Sequence, residues 1–356
     1  MNVVMLGTYD IQLYSRGRIL MKGLQKNNVS VRTCLPKGKL KYVYILRALF
    51  KKDSDIIIVN GKIVLFLAWF FKWWHRKIIV WDTFISDYDT LVLDRRRIPE
   101  TSFFARLIWW SDKVGPSLAS ISFLDTLAQI LFFKEHFGTD ESTFRVVHVG
   151  SDEDFFTPEN ENINKKIIVH FHGTFIPLQG VETIVRAAKS IEKEKDIHLR
   201  LIGKGQEYKK CIDLAKELNV QNVEFDSGMG MDYLRKKIVE SSFCLGIFGT
   251  SEKAKNVVPH KVYDALASKK AVITMKCKGM KEVLTHKKNA WLIPPNDPKA
   301  LADAILLLSK NKKLRDQIAR NGYELFKEKY CTKEIGKELL KVIEEGMRIH
   351  ESKKWF

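Results

Sequence analysis

Residues 256–270, NVVPHKVYDALASKK, hold the spacing with the plainest chemical use. Pro259 suits the first turn of a helix, Lys261 follows two residues on, and Asp264 three after that. A lysine in a first turn opposes the helix macrodipole, at a cost of a few tenths to about 1 kcal/mol. An arriving anion reverses that sign, because a phosphate there meets Lys261 together with the free N–H groups of the helix start. Asp264, one turn further in, could accept hydrogen bonds from ribose hydroxyls. The plainer alternative is a surface Lys–Asp pair at i,i+3, worth about 0.2–0.5 kcal/mol, beside a buried face of Val262, Ala265 and Leu266.

Other residues sit where strands end. LIGKGQEY (201–208) sets Gly203, Lys204 and Gly205 between a strand and a helix, where backbone can approach an anion or simply turn tightly. HFHGTF (170–175) ends a second strand with Gly173 and Thr174, and its His172 reads as a structural histidine or a general base. Asp82 follows a strand directly and reads as an acceptor-side polar residue or base, with Asp87, Asp89 and Asp94 behind it in an acid-rich stretch. GTYD (7–10) opens with Gly7; Arg16 and Arg18 come next and face either phosphate or solvent.

The elements that must position these residues alternate. NVVML, VSVRTCL, DIIIVN, KIIVWDTF, SISFLD and TFRVVHV read as strands in the first half, with helices from Asp10 to about Asn27 and from about Pro99 to Trp110. The polar stretch 150–166 reads as a linker. The pattern then restarts with KIIVHFHG, HLRLIGKG, SFCLGIF and KAVITMK as strands between helices, and ends in helices with apolar residues at helical spacing. Such alternation implies an α/β chain of two doubly wound parallel-sheet domains, with ligands at the carboxyl ends of strands in a cleft between the lobes.

The chain of 356 residues has room for two cores, and 45% hydrophobic with 29% charged residues fits a globular protein. Its net charge of +18 points to an anionic partner. Five dispersed cysteines, Cys34, Cys211, Cys244, Cys277 and Cys331, indicate neither a disulfide framework nor a zinc site. No basic n-region precedes the first strand, and the longest apolar run, 63–71, is far short of the roughly 20 residues that span a bilayer.

Taken in order, HVGSDEDFFTP, GTFIPLQGVETIVRAA, LRLIGKG, VPHKVYDALASKKAVIT and KGMKEVL…NAWLIPPNDPKALADAI resemble the motifs of family 4 glycosyltransferases, retaining enzymes of the GT-B fold, in a subtype with a Pro-x-Lys-x-x-Asp/Glu donor helix. The resemblance covers the second half of the chain. It implies two Rossmann-like domains facing a central cleft: 1–158 binding acceptor, 159–330 binding the nucleotide sugar, and 331–356 a helix packing back on the first. It implies that Lys261 holds the nucleotide diphosphate and Asp264 the ribose. Gly203 passes close to the nucleotide, Lys204 and Gly205 shape its base pocket, and Gly173 and Thr174 border the diphosphate; Glu282 stands at a family acid. Lys261 and Asp82 are the candidate catalytic residues, and Gly7 and Arg16 lie on the acceptor side. The implied activity is metal-independent transfer, with retention, from a UDP- or GDP-sugar substrate to a glycan or lipid-linked acceptor in cell-surface glycoconjugate or polysaccharide synthesis; no resident cofactor or metal is called for. The chain departs from the pattern at Asn256, where the commoner subtype has an acid, at Gln179, where a lysine is usual, and at His260, which replaces an asparagine.

Residues 37–77 hold 10 Lys/Arg against two acids, with Trp69, Trp73, Trp74 and several Phe and Tyr residues, a composition suited to an anionic membrane interface or, for part of 63–71, to burial. A cytoplasmic enzyme, peripheral on the inner face of the membrane, follows. The rivals are a non-catalytic nucleotide-sugar-binding protein and a basic nucleic-acid-binding protein. No nucleic-acid-binding motif supports the latter, and GKGQEY lacks the third glycine of a dinucleotide fingerprint.

Overall fold

The computed structural model of the chain describes residues 1–8, 10–11, 14–34, 41–159, 166–228 and 230–352. Part of the expected linker, 160–165, and Tyr9 of GTYD lie outside them. The chain divides into two compact units, Met1–Gly150 with Thr332–Phe356 and Ser151–Cys331, set against the expected junction at 158/159. Ser151 already belongs to the second unit's packing: its N–H donates to the Tyr330 carbonyl and its hydroxyl to Asp264.

In the first unit the elements run β1 (Asn2–Leu6), α1 (Ser15–Lys26), β2 (Ser30–Thr33), α2 (Lys41–Phe50), β3 (Ile56–Asn60), α3 (Lys62–Phe70), α4 (Lys72–His75), β4 (Ile78–Asp82), α5 (Phe103–Leu118), β5 (Ile121–Leu124), α6 (Leu127–Phe137) and β6 (Phe144–Val146). The inner strands β1, β3, β4 and β5 are apolar runs buried on both sides, the edge strands β2 and β6 are more exposed, and all pair in parallel in the order β2-β1-β3-β4-β5-β6. Alternate residues point to opposite faces. Val4, Ile57, Ile79 and Trp81 pack under α2, α3 and the end of α5. The other face meets the last helix of the chain, which contacts β4, β5 and α1.

The second unit runs β7 (Ile167–His172), α7 (Val181–Ser190), β8 (Ile197–Ile202), α8 (Tyr208–Glu217), β9 (Val223–Asp226), α9 (Met231–Val239), β10 (Phe243–Leu245), α10 (Glu252–Asn256), α11 (His260–Ala267), β11 (Val272–Met275), α12 (Lys278–Val283), β12 (Trp291–Ile293), α13 (Pro298–Lys310) and α14 (Lys312–Leu325). Its parallel order is β12-β11-β10-β7-β8-β9. The direction of winding reverses between β7 and β10, which makes the carboxyl ends of those strands the natural crevice of this unit. The corresponding reversal in the first unit lies between β1 and β3. The last helix, α15 (Thr332–Ser352), returns to the first unit, where Gly336 lies so close to Gly23 of α1 that neither has room for a side chain.

Several boundaries differ from the sequence expectation. The helix expected from Asp10 starts at Ser15, with Tyr14 as its cap residue. The helix expected over 99–110 starts at Phe103, where the Ser102 hydroxyl accepts from the Ala105 N–H, and runs on through Pro116 to Leu118. Pro259 is the cap residue just outside α11 rather than part of its first turn. Strand β9 and helix α9 carried no clear signal: VEFD is short, half polar and only partly buried.

Candidate functional site

The second unit gathers most of the expected residues around the end of β7. Gly173 has φ +152°, and a Cβ there would lie 2.7 Å from Lys261 Nζ. Gly203 has φ +146°, and its Cβ would lie 1.9 Å from the Gly173 carbonyl oxygen. Both positions therefore require glycine. The turns after β7 and β8 are laced together: Gly173 N–H donates to Ile202, Gly203 N–H to Asp226, and Phe175 N–H to the Lys204 carbonyl. Gly203 is thus buried and occupied with packing, whereas Thr174, Lys204 and Gly205 are exposed at the rim.

Lys261 and Asp264 correct the surface-pair alternative. Every residue of α11 after His260 is buried, and Lys261 is only 5% exposed. The two side chains do not pair with each other. Lys261 Nζ donates to the Gln179 amide oxygen and lies 3.7 Å from the centre of the Phe171 ring. Among the described residues it meets no carboxylate. Burial holds its pKa well below the ordinary lysine value, opposed by the Asp264 charge. Gln179, where a second cation would be usual, thus supplies a neutral oxygen that holds the lysine in place.

Asp264 is held from two sides. The Ser151 hydroxyl donates to Oδ1 at 2.6 Å, and His172 Nε2 lies 3.6 Å from Oδ2. His170 Nε2 and His172 Nδ1 are 3.0 Å apart. Burial lowers both imidazole pKa values, and Asp264 partly opposes this at His172. A neutral His172 with its proton on Nε2 fits both neighbours: Nδ1 accepts from His170 and Nε2–H faces Asp264. These geometries favour the structural reading of His172 over a general base. Alternation along β7 puts His170 and His172 on one side of the strand, a signal present in the sequence.

Asn256 is buried at the end of α10, and its backbone packs against Gly279 of α12. Glu282 lies exposed on α12. His260 is half-buried at the start of α11.

In the first unit the structure joins two residues that the sequence presents separately. Arg16 Nε lies 3.0 Å from Asp82 Oδ1, and both side chains are buried. Asn60 Nδ2 donates to Asp82 Oδ2 at 3.2 Å, and the Arg16 guanidinium also reaches the Val147 carbonyl. Burial pushes the Asp82 carboxyl above its ordinary range, and Arg16 works against that shift. Arg16 is therefore not on a solvated helix face; its charge is directed at Asp82 because two buried charges are stable only when paired. Asp82 is correspondingly an ion-paired interior acid rather than a solvent-facing base. Gly7 is buried directly after β1, beside the winding reversal, and Arg18 is half-buried.

The acid-rich stretch is organised by a residue the sequence reading missed. Asp112 on α5 is fully buried; it accepts from Ser86 Oγ and Tyr88 N–H, and its Oδ1 lies 2.6 Å from Lys62 Nζ. The same lysine reaches Asp87 at 3.0 Å. Asp89 and Asp94 are buried in a π-helical stretch, Asp89–Asp94. Among the described residues the cysteines are unbridged, and no group of three or more His, Cys, Asp or Glu side chains converges as a metal site.

Comparison with known proteins gives the geometry a family context. Residues 152–325 match the family model of glycosyl transferases group 1. An uncharacterised glycosyltransferase of Methanocaldococcus jannaschii is 29% identical over 191 residues, covering 51% of this chain and 52% of that protein. N-acetyl-alpha-D-glucosaminyl L-malate synthase of Bacillus anthracis is 24% identical over 172 residues, covering 48% and 43%. The chain spans about half the length of the curated relatives it matches. Among solved structures, HepE of Anabaena in complex with UDP and glucose has a TM-score of 0.71 at 14% identity, covering 96% of this chain and 99% of that one. Sucrose-phosphate synthase from Thermosynechococcus elongatus has a TM-score of 0.76 at 16% identity, covering 97% and 98%. By sequence residues 152–325 thus match the glycosyl transferases group 1 model, and the α/β fold of the chain, with its two parallel six-stranded sheets, matches that of solved GT-B structures.

Proposed function

We propose that the protein transfers a sugar, with retention and without a metal, from a UDP- or GDP-sugar to a glycan or lipid-linked acceptor in cell-surface glycoconjugate or polysaccharide synthesis, working peripherally at the inner face of a membrane. In this reading the second unit binds the donor and the first the acceptor. The reading is that of the family 4 subtype with a Pro-x-Lys-x-x-Asp donor helix.

One observation carries it: Lys261 is a buried lysine at a helix start that forms no ion pair with a carboxylate, its Nζ bonded instead to the neutral Gln179 oxygen. A buried charge without a counter-ion is costly, and the cost turns into affinity when an anion enters. A nucleoside diphosphate supplies that anion. Lys261, the first N–H groups of α11 and the Thr174 N–H then neutralise charge on the leaving diphosphate as the glycosidic bond breaks. Asp264 takes the ribose hydroxyls, Lys204 and Gly205 border the base, and Glu282 stands at the position of the family's acid. The Asp82–Arg16 pair shapes the acceptor side as a fixed, polar floor. UDP in HepE crystals supports the choice of nucleotide class.

Thermal stabilisation by UDP, GDP and ADP and their sugars tests this reading, because a ligand that binds only the folded protein raises its melting temperature. A shift with at least one nucleotide, and sugar transfer or release from the matching donor that survives a chelator, are expected. The absence of any shift, or full turnover in Lys261→Ala, refutes it.

A further inference from the structure

The exposed apolar side chains of this protein are strongly one-sided. Among the described residues most of the large ones lie on α2, α3, α4 and α5, helices over one face of the first sheet. Helix α15, over the other face, contributes none, and the second unit contributes only Leu307. The most open are Trp73 at 87% and Phe103 at 74%, followed by Phe104, Trp74 and Phe70.

The pattern is built rather than scattered. Helix α5 buries Ala105, Asp112 and Gly115 inward and turns Phe103, Phe104, Leu107 and Trp110 outward, an apolar stripe at i, i+1, i+4 and i+7 on the solvent side. Helix α3 packs directly on α5 and presents Ile63 and Phe70 outward in the same helix layer. Beyond it, Trp69, Trp73 and Trp74 surround an open hollow of about 1080 Å³ that Lys72 and Arg76 also line. A soluble surface rarely leaves such an apolar expanse uncovered.

Charge identifies what covers it. The four helices carry the cations Lys41, Arg47, Lys62, Lys72, Arg106 and Lys113 and a single acid, Asp112. Asp112 is fully buried and faces Lys62, so these helices present no acid outward. The half-exposed Asp87 beside α3 is paired with Lys62, and aromatic side chains interleaved with the remaining cations, with no outward acid on the helices themselves, match the headgroup layer of an anionic bilayer, where tryptophan rings sit at the interface and lysines and arginines meet lipid phosphates. A protein partner of ordinary composition would have to offer acids and an apolar face together. No helix among the described residues is long and apolar enough to cross a membrane, so these helices do not enter as spans.

We propose that the outer surface of α2–α5 is a docking face for an anionic lipid bilayer, with the α5 stripe and the Trp73–Trp74 corner as its two apolar anchors. The face extends well beyond the tryptophan-rich stretch visible in the sequence, and α5 is its principal addition. The proposal rests on the peripheral-membrane part of the proposed function and names the surface that would carry it, while vesicle binding, which needs no nucleotide, tests it separately from the donor chemistry.

Vesicle flotation of the whole protein tests it, using phosphatidylcholine vesicles with and without about one third phosphatidylglycerol at low and high salt. Binding to the anionic vesicles at low salt, weaker at high salt and on neutral vesicles, is expected. Phe103→Ser with Phe104→Ser, and separately Trp73→Ser with Trp74→Ser, should each lower partitioning by about tenfold or more, and Lys72→Glu with Arg106→Glu should do the same. All these side chains except Lys72 are exposed, so the pairs should unfold at the temperature of the parent protein, which a melting curve checks. No binding of the parent to anionic vesicles overturns the proposal, as does binding that the anchor variants leave unchanged. Light scattering without lipid supplies the third arm: a dimer of the parent that the Phe103 and Phe104 variant converts to monomer reassigns the face to a second copy of the chain.

Discussion

Lys261→Met separates a lysine kept for a ligand from one kept for the fold. Methionine preserves the length and packing of the stem while removing the charge. In the free protein Lys261 is buried over Phe171 with a neutral oxygen as its hydrogen-bond partner, and burial lowers its pKa. Replacing a poorly compensated buried charge with an apolar side chain of similar volume is neutral or stabilising by about 1–4 kcal/mol. Urea unfolding of the free variant should therefore show stability equal to or above that of the parent. Nucleoside diphosphate affinity should move the other way. A charge-assisted hydrogen bond contributes about 1.5–3 kcal/mol, so removing it weakens binding by about 10- to 150-fold by calorimetry. The pH dependence supplies a second check. Between the lowered folded pKa and the ordinary lysine value the unfolded chain holds the proton and the folded chain does not, so stability rises with pH across that window, by up to about 1.4 kcal/mol per pH unit. Stability from Lys261 is fully present above the unfolded lysine value and is lost as pH falls toward the folded one. His170 and His172, lowered from 6.5, act only below that value, and Lys77 and the buried cysteines, whose shifts also act above pH 7, are common to both proteins, so the difference between parent and variant above pH 7 isolates Lys261. The variant should lose that part of the slope. A variant destabilised by more than about 2 kcal/mol with unchanged nucleotide affinity would refute the reasoning, since 2 kcal/mol is a large share of a protein's net stability.

Two further outcomes follow from the geometry. Arg16→Met strands Asp82 as an unpaired buried acid and should cost about 3–5 kcal/mol in urea unfolding, whereas the double variant Arg16→Met with Asp82→Leu should recover most of it; additive losses would show that the pair is not the interaction at stake. Gly203→Ala drives a methyl group onto the Gly173 carbonyl and should cost more than about 3 kcal/mol or prevent folding, while Gly230→Ala, also at positive φ but with nothing within 4 Å of its Cβ, should cost only its backbone strain of about 1–3 kcal/mol; similar melting temperatures for the two would count against the close packing of the β7 and β8 turns.

Much of the site was legible because its signals are local. Lys261 and Asp264 are three residues apart on one short helix, and the strand ends at Gly173, Gly203 and Asp82 are marked by β-branched runs followed by a turn. Helix geometry or strand period turns such spacing directly into position. The partners that settle what these residues do are distant in the chain. Arg16 and Asp82 are 66 positions apart, Gln179 and Lys261 are 82, and Ser151 and Asp264 are 113. No periodicity carries those pairings; they exist because parallel strands with helical crossovers bring remote strand ends to one edge of a sheet.

The same division holds for the surface. The sequence by itself determined that the chain alternates strands and helices, that a lysine and an aspartate occupy one short helix after Pro259, and that residues 37–77 are rich in cations and aromatic rings. Only the tertiary structure decided that Lys261 is buried without a carboxylate, that Asp82 is bound to Arg16, and that the apolar stripe of α5 faces outward. The physical reason is that a hydrophobic period gives the existence of a face and its residues but not its direction. Whether that face meets core or solvent depends on which side of the helix the sheet already occupies, and on α5 Ala105 and Gly115, small enough to lie against the sheet, occupy the inward side while Phe103, Phe104, Leu107 and Trp110 are left outside.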